Sequence, residues 1–234
     1  MRPFQTHLTD LTSTTIQDLV LYEDEQIIII NKPHRLPLYK GPGGGPVLAD
    51  YLDGLQGEYD EPPAPAHRLD ASTSGCLVLG RSRDARRSVS DLFASADVKK
   101  MYWAVVDGLP LDDTGIIDLP LMDFGWPGRP RMRVDEAGKA SQTRYQVLGR
   151  SDKRSWLALT PLTGRTHQLR VHCAGMDWPI IGDPLYHPEP QGEVHLHLHA
   201  RYLSLPLQTA VSVEAEPPAH IIEALTDIVV SVQN

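Results

Sequence analysis

The segment His67-Arg68-Leu69-Asp70-Ala71-Ser72-Thr73-Ser74-Gly75 packs a charged triplet into a run of turn-forming residues. A carboxylate placed there, just ahead of an apolar strand, can serve as a nucleophile or base, or simply cap the turn. A second cluster, Leu162-Thr163-Gly164-Arg165-Thr166-His167-Gln168-Leu169-Arg170-Val171-His172, combines two arginines with two histidines. Its spacing predicts a helix from Arg165 to Ala174 that stops at Gly175, with Arg165, Leu169 and His172 sharing one face. An arginine at a helix start suits a carboxylate or phosphate partner, and a solvated basic face is the plainer alternative. His195, His197 and His199 alternate along a predicted strand. Two such histidines can share a metal, but nothing at supporting spacing completes a ligand set, and none is expected.

Other chemistries lack their motifs. The run Gly41-Pro42-Gly43-Gly44-Gly45 continues as Pro46-Val47 rather than the Gly-Lys-Ser/Thr of a phosphate-binding loop, so it reads as a plain loop. No G-x-S-x-G elbow is present to anchor a Ser-His-Asp hydrolase.

The elements that must hold these clusters follow from periodicity. Residues 1–18 are polar and read as an arm, with order beginning at Leu19-Val20-Leu21. Gln26 to Asn31 predicts a buried isoleucine strand that Pro33 and Pro37 end. Pro46 to Leu55 predicts a short helix, and Glu61 to Pro65 an extended segment. Cys76 to Leu79 predicts an apolar strand, and Ser82 can cap a helix from Arg83 to about Ala96. Further strands are expected at Met101–Val106, 116–119, 140–148, 156–159 and 195–205, with a helix over 219–230. Short strands with interspersed helices and no regular β-α-β alternation predict an α+β fold on a mainly antiparallel sheet, in one domain over 19–234.

Composition sets wider bounds. The 234 residues carry a formal charge of −8, which as a bulk number argues against a nucleic-acid partner. Its distribution reverses the argument. The stretch from His67 to Lys100 is net +3 and that from Trp126 to Cys173 net +7, leaving −18 elsewhere. A basic face on an acidic body suits RNA. No apolar run reaches the ~18 residues of a membrane span. Cys76 and Cys173 have no C-x-x-C spacing, and the first ten residues lack the layout of a signal peptide, so a cytoplasmic protein with reduced thiols is expected.

In order along the chain, these clusters resemble the RluA family of RNA pseudouridine synthases. The resemblance rests on Asn31-Lys32-Pro33, on His67-Arg68-Leu69-Asp70 with Thr73-Ser74-Gly75, and on Lys100-x-Tyr102-x-Ala104-x-Val106. It continues through Gly164-Arg165-x-His167-Gln168-Leu169-Arg170-x-His172, Gly182-Asp183-x-x-Tyr186 and His199-Ala200. Trp126-x-x-Arg129-Pro130 and Gly138-Lys139-x-x-x-Thr143 resemble the RluA subgroup in particular. One departure stands out: Arg35 occupies the place where the family carries a glycine.

The resemblance implies a bent, mixed sheet with a central catalytic cleft and flanking helices, without an S4-type RNA-binding module. It implies Asp70 as the catalytic aspartate, Tyr102 as the active-site tyrosine and Arg165 as the aspartate's partner. Arg68 would fill the gap left by a flipped uridine and Leu169 would wall the base. His67, Leu69, Thr73 and Arg170 are expected to contact RNA as well. Phosphate contacts are expected from Lys32, Arg83, Arg86, Arg87, Arg129, Arg131 and Arg133. The isomerisation needs neither cofactor nor metal, and the implied partner of this monomer is a structured rRNA or tRNA stem-loop. A non-catalytic RNA-binding protein and a zinc-dependent hydrolase are the alternatives.

Overall fold

The computed structural model describes residues 15–41, 44–95, 97–126, 131–189 and 192–230. In chain order the strands and helices are β1 (Val20–Glu23), β2 (Ile27–Lys32), β3 (Ala64–Pro65), β4 (Ser74–Gly80), α1 (Arg83–Ala94), β5 (Lys99–Asp107), β6 (Thr114–Asp118), β7 (Leu121–Asp123), β8 (Met132–Val134), β9 (Gln142–Arg150) and β10 (Arg154–Pro161). Then follow α2 (Gln168–Gly175), β11 (Leu198–Leu205), β12 (Val211–Glu214), α3 (Ala219–Leu225) and β13 (Val229–Val230). The fold is α+β on a mainly antiparallel sheet, as the pattern of short strands predicts. The described chain divides into two compact units, one of residues 1–100 and 200–219, the other of 101–199 and 220–234.

In the first unit, β2 pairs antiparallel with β1 on one side and β4 on the other, with Ile28 opposite Leu79 and Ile29 opposite Val78. Ile28, Ile29, Ile30, Leu77, Val78 and Leu79 are all fully buried. Successive strand residues point to opposite faces, so both faces of these strands are covered, which explains an apolar run without alternation. The Ser82 side chain accepts the Ala85 N–H and starts α1 as expected. Ala85 and Val89 are its buried face, while Arg83 and Arg87 are exposed. Thr15–Leu19 forms a 3-10 turn with Ile16 fully buried, so ordered packing begins inside the segment expected to be an arm. The helix expected over 46–55 is instead two 3-10 turns, Leu48–Asp50 and Leu52–Leu55.

Gly75 shows why a motif so far from His199-Ala200 belongs with it. Its φ is +108°, and a Cβ built on it would sit 2.3 Å from the Ala200 carbonyl oxygen. The bare glycine backbone lets the start of β4 lie directly against Ala200. No side chain fits there.

The second unit is built on β10, which pairs antiparallel with β5 and β9; β9 also holds β6 and β13. Ala104, Val106, Leu157, Leu159, Leu169, Cys173 and Leu198 form its main core. A smaller cluster of Val105, Ile181, Ile221 and Ile228 seats α3. A separate hairpin, β7 paired with β8, was not foreseen from the sequence because three-residue strands carry too little periodicity to register. Strand β11 starts three residues later than expected, at Leu198.

Gly75→Ala is expected to cost at least ~3 kcal/mol, because the obstacle is backbone rather than a side chain that can swing aside. A urea titration checks this; a loss under 1 kcal/mol would show that β4 can move away from Ala200.

Candidate active site

The Asp70 turn is assembled in the first unit around an unusual group. Lys32 is fully buried, and its ammonium donates to the carbonyls of Pro33 at 2.8 Å, Leu36 at 3.0 Å and Ala71 at 3.1 Å. An ammonium has three donors, and all three are used. They lash the loop after β2 to the residue next to Asp70. The Thr73 N–H, bonded to the Asp70 carbonyl at 3.1 Å, closes the turn from the other end. Burial drives the Lys32 pKa down to about 7, opposed by the negative charge of Asp70. Lys32 was expected to meet an RNA phosphate; its burial and spent donors correct that expectation, and its work is internal.

Arg35 lies in the same loop, exposed, with φ at +59°. Where the resemblance leads one to expect a glycine, an arginine occupies the left-handed region, at a cost of roughly 1–2 kcal/mol. The departure changes the residue and leaves the backbone conformation a glycine would favour.

His67 and Phe93 stack with ring centroids 4.1 Å apart and an 18° tilt. The His67 Nε2 accepts the Val78 N–H at 3.0 Å, which puts the proton on Nδ1, facing the Arg68 carbonyl at 3.3 Å. Burial pushes its pKa down to about 4, so the ring is neutral. Leu69 and Thr73 are buried. His67 is half-buried, as is Asp70, and Arg68 is exposed.

The second unit carries Tyr102, Arg165 and Leu169. Tyr102, on β5 opposite Leu159, packs half-buried against the cluster that contains Leu169. Helix α2 begins at Gln168, not Arg165, and His167 before it takes a left-handed conformation at φ +53°. Residues 163–167 therefore form a loop, and the expected helical face shared by Arg165, Leu169 and His172 does not exist.

What holds that loop is Gln168, which is buried. Its Oε1 accepts from the Arg165 N–H at 3.0 Å and the Thr163 hydroxyl at 2.7 Å. Its Nε2 donates to the Gln142 carbonyl and the Thr143 hydroxyl. The neighbouring polar residues also turn inward. Arg170 forms a buried two-point pair with Asp183, both contacts 2.7 Å, so it is a structural cation rather than an RNA contact. His172 is buried between Thr143 and the Leu119 carbonyl, its pKa lowered by burial. Arg165 alone among these three charged or basic groups is exposed, its Nε steadied by the Ala140 carbonyl at 3.2 Å.

Sequence reasoning missed the internal partners. Asp183 and Tyr186 had been noted as family motif residues without a task. Asp183 takes Arg170, while the Tyr186 hydroxyl meets His167 Nδ1 at 2.7 Å and accepts the Met132 N–H at 3.0 Å. Of the residues expected to meet phosphate, Arg83, Arg87, Arg131 and Arg133 are exposed and Arg86 half-buried; Arg129 lies outside the described residues. Arg133 is paired with Asp135 at 2.8 Å.

A family model described as RNA pseudouridylate synthase matches residues 26–175. The chain is 42% identical over 192 residues to the dual-specificity RNA pseudouridine synthase RluA of Yersinia pestis, covering 80% of this chain and 91% of that protein. It is 39% identical over 212 residues to an RNA pseudouridine synthase of Zymomonas mobilis, covering 89% of this chain and 96% of its relative. The solved structure of human RNA pseudouridylate synthase domain containing 4 superposes with a TM-score of 0.80 at 29% identity, over 92% of this chain and 94% of that one. The chain belongs to the RNA pseudouridylate synthase family. Within that family it is of the RluA type, an isomerase that forms pseudouridine in RNA.

Titration of Lys32 sets a pH test. A buried lysine at about 7 against an ordinary 10.5 means that the unfolded chain binds the extra proton between those values. Its contribution to stability is full above about pH 10.5, declines as pH falls, and is lost below about pH 7. The stability of wild type relative to Lys32→Met should therefore rise with pH between 7 and 10. Urea denaturation across that range checks it; a flat difference would mean that the ammonium does not titrate there.

Proposed function

We propose that this isomerase acts on uridines in structured loops of rRNA, tRNA or both, as a monomer in the cytoplasm. Residues 19–234 work as one catalytic domain, and no helix among the described residues is long and apolar enough to cross a membrane. The observation that supports the reading most is the construction under Asp70. A fully buried lysine spends two of its three donors on the loop after β2 and the third on the residue next to one carboxylate. The Yersinia pestis relative is a dual-specificity enzyme, which favours more than one RNA class.

In this reading the target nucleotide is extruded from its stack, at a cost of a few kcal/mol. The exposed guanidinium of Arg68 stacks in the vacated space and offsets part of that loss. Asp70 assists cleavage of the N1–C1′ bond, as a nucleophile at C1′ or as a base on the sugar. The freed uracil turns and rejoins C1′ through C5, and the C5 proton then leaves. Tyr102 stacks on the base and takes part in that proton transfer. Arg165 is the cationic partner that orients the Asp70 carboxylate. Leu169 contributes through the packing that backs Tyr102. All atoms of the uridine are retained, so the reaction needs no cofactor.

Two substitutions test the assignment, read as pseudouridine formed in RNA from cells lacking the protein. Asp70→Asn is expected to lower the rate by at least ~10³-fold while the variant still binds RNA. Turnover near the wild-type rate would remove Asp70 from the chemistry. Arg165→Met should reduce the rate by ~10²-fold with an unchanged melting temperature, because the side chain is exposed and Gln168 holds the loop through the backbone. A loss that only tracks falling thermal stability would make Arg165 structural.

A further inference from the structure

The hairpin of β7 and β8 carries two large aromatic side chains that the fold does not use. Trp126 is 79% exposed and Phe124 50% exposed. Single exposed apolar residues are ordinary on protein surfaces, but here two lie on one hairpin and Phe124 stands beside a guanidinium group. The Arg133 guanidinium lies over the Phe124 ring at 5.5 Å, and Arg131 is exposed next to it. The Phe124 N–H donates to the Arg131 carbonyl at 2.8 Å, extending the ladder past the strands. The acidic side chains of the hairpin are occupied locally. Asp123 accepts the Gly125 N–H at 2.9 Å, and Asp135 takes Arg133 and the Ala137 N–H.

The base of the hairpin, in contrast, is anchored. Leu121 and Met132 are buried with Val171 of α2, and Tyr186 packs against them. Leu121 exchanges backbone hydrogen bonds with Lys139, and the Tyr186 hydroxyl takes the Met132 N–H. Val134 lies against Gly175 at the end of α2. The same tyrosine reaches His167, two residues from Arg165. The two exposed aromatic side chains thus extend from an anchored base.

We propose that this hairpin is a base-stacking arm, with the Trp126 indole receiving an unpaired nucleobase of the substrate RNA. The inference rests on the RNA-modifying activity described above. Aromatic faces with adjacent arginines are how proteins hold unstacked bases, since every base offers a π-face and the guanidinium supplies charge for the phosphate. The arm accepts single-stranded loop nucleotides and gains nothing from a fully paired duplex, whose bases are already stacked.

The test uses the full chain with two probes, a short RNA stem-loop with a uridine-rich loop and the fully paired duplex of the same stem. Wild-type indole emission should be quenched by the stem-loop, and Trp126→Ala should lose that quenching although Trp103, Trp156 and Trp178 remain. Its affinity for the stem-loop should fall roughly ten-fold, with duplex affinity and melting temperature unchanged, and Trp126→Phe should recover most of the loss. Unchanged stem-loop affinity, or an equal loss on both probes, would overturn the proposal. The readout is binding, so it separates from the activity assay. An arm that fails while Asp70-dependent product still forms sinks only the arm; intact quenching with no product sinks the functional reading instead.

Discussion

A charged ammonium inside a protein is tolerated only when its donors are filled, and the Lys32 site meets that condition with three carbonyls. Carbonyls offer partial charge without a formal counter-ion, which is why burial still depresses the lysine so strongly. The arrangement makes two chain segments interdependent. The loop through Pro33 and Leu36 has its shape because Lys32 needs those oxygens, and the turn at Ala71 is drawn to the same nitrogen. Arg35 then bears the left-handed conformation that this path requires. A strained residue persists where its surroundings over-determine it, and here the surroundings converge on one nitrogen atom.

The loop before α2 follows a different strategy toward the same end. Gln168, Arg170 and His172 make at least eight side-chain hydrogen bonds among them, all to protein groups. Neutral amide and imidazole groups do most of the positioning, and the one buried cation is matched by Asp183. A polar network satisfied at every member is rigid and specifies a single arrangement. Arg165 is thereby held by its backbone, leaving its side chain able to answer to something outside. The motif is mainly a set of instructions for the loop, with few words about chemistry.

Much of this was legible in the sequence, and the failures have a common cause. The isoleucine run of β2, the Ser82 cap of α1 and the existence of β5 follow from local rules, while the alternation of β5 does not appear in its burial, Ala104, Val105 and Val106 all being buried. Motif order along the chain identified the family. Errors fell on polar residues whose partners lie far away in sequence. Arg170 looked like a surface cation because Asp183 is thirteen positions away and nothing local announces the pairing. Lys32 looked available because an ammonium satisfied by main-chain oxygens leaves no complementary residue to find. Helix α2 was begun too early because Arg165, Leu169 and His172 fit a helical period, whereas the Gln168 bonds require a loop.

The close approach of Gly75 to Ala200 bears on how the protein is made. The strand that seats Cys76 finds Arg201 across a separation of 125 residues, and the first unit takes its last segment from 200–219. A ribosome releasing the chain from its N-terminus exposes the Asp70 turn and the apolar β2 and β4 long before β11 exists. Through that interval the first unit lacks a segment of its own sheet, and its isoleucine-rich strands present unpaired hydrogen-bonding groups to any neighbour. The carboxylate on which the reaction is proposed to depend thus sits in a unit that is completed late.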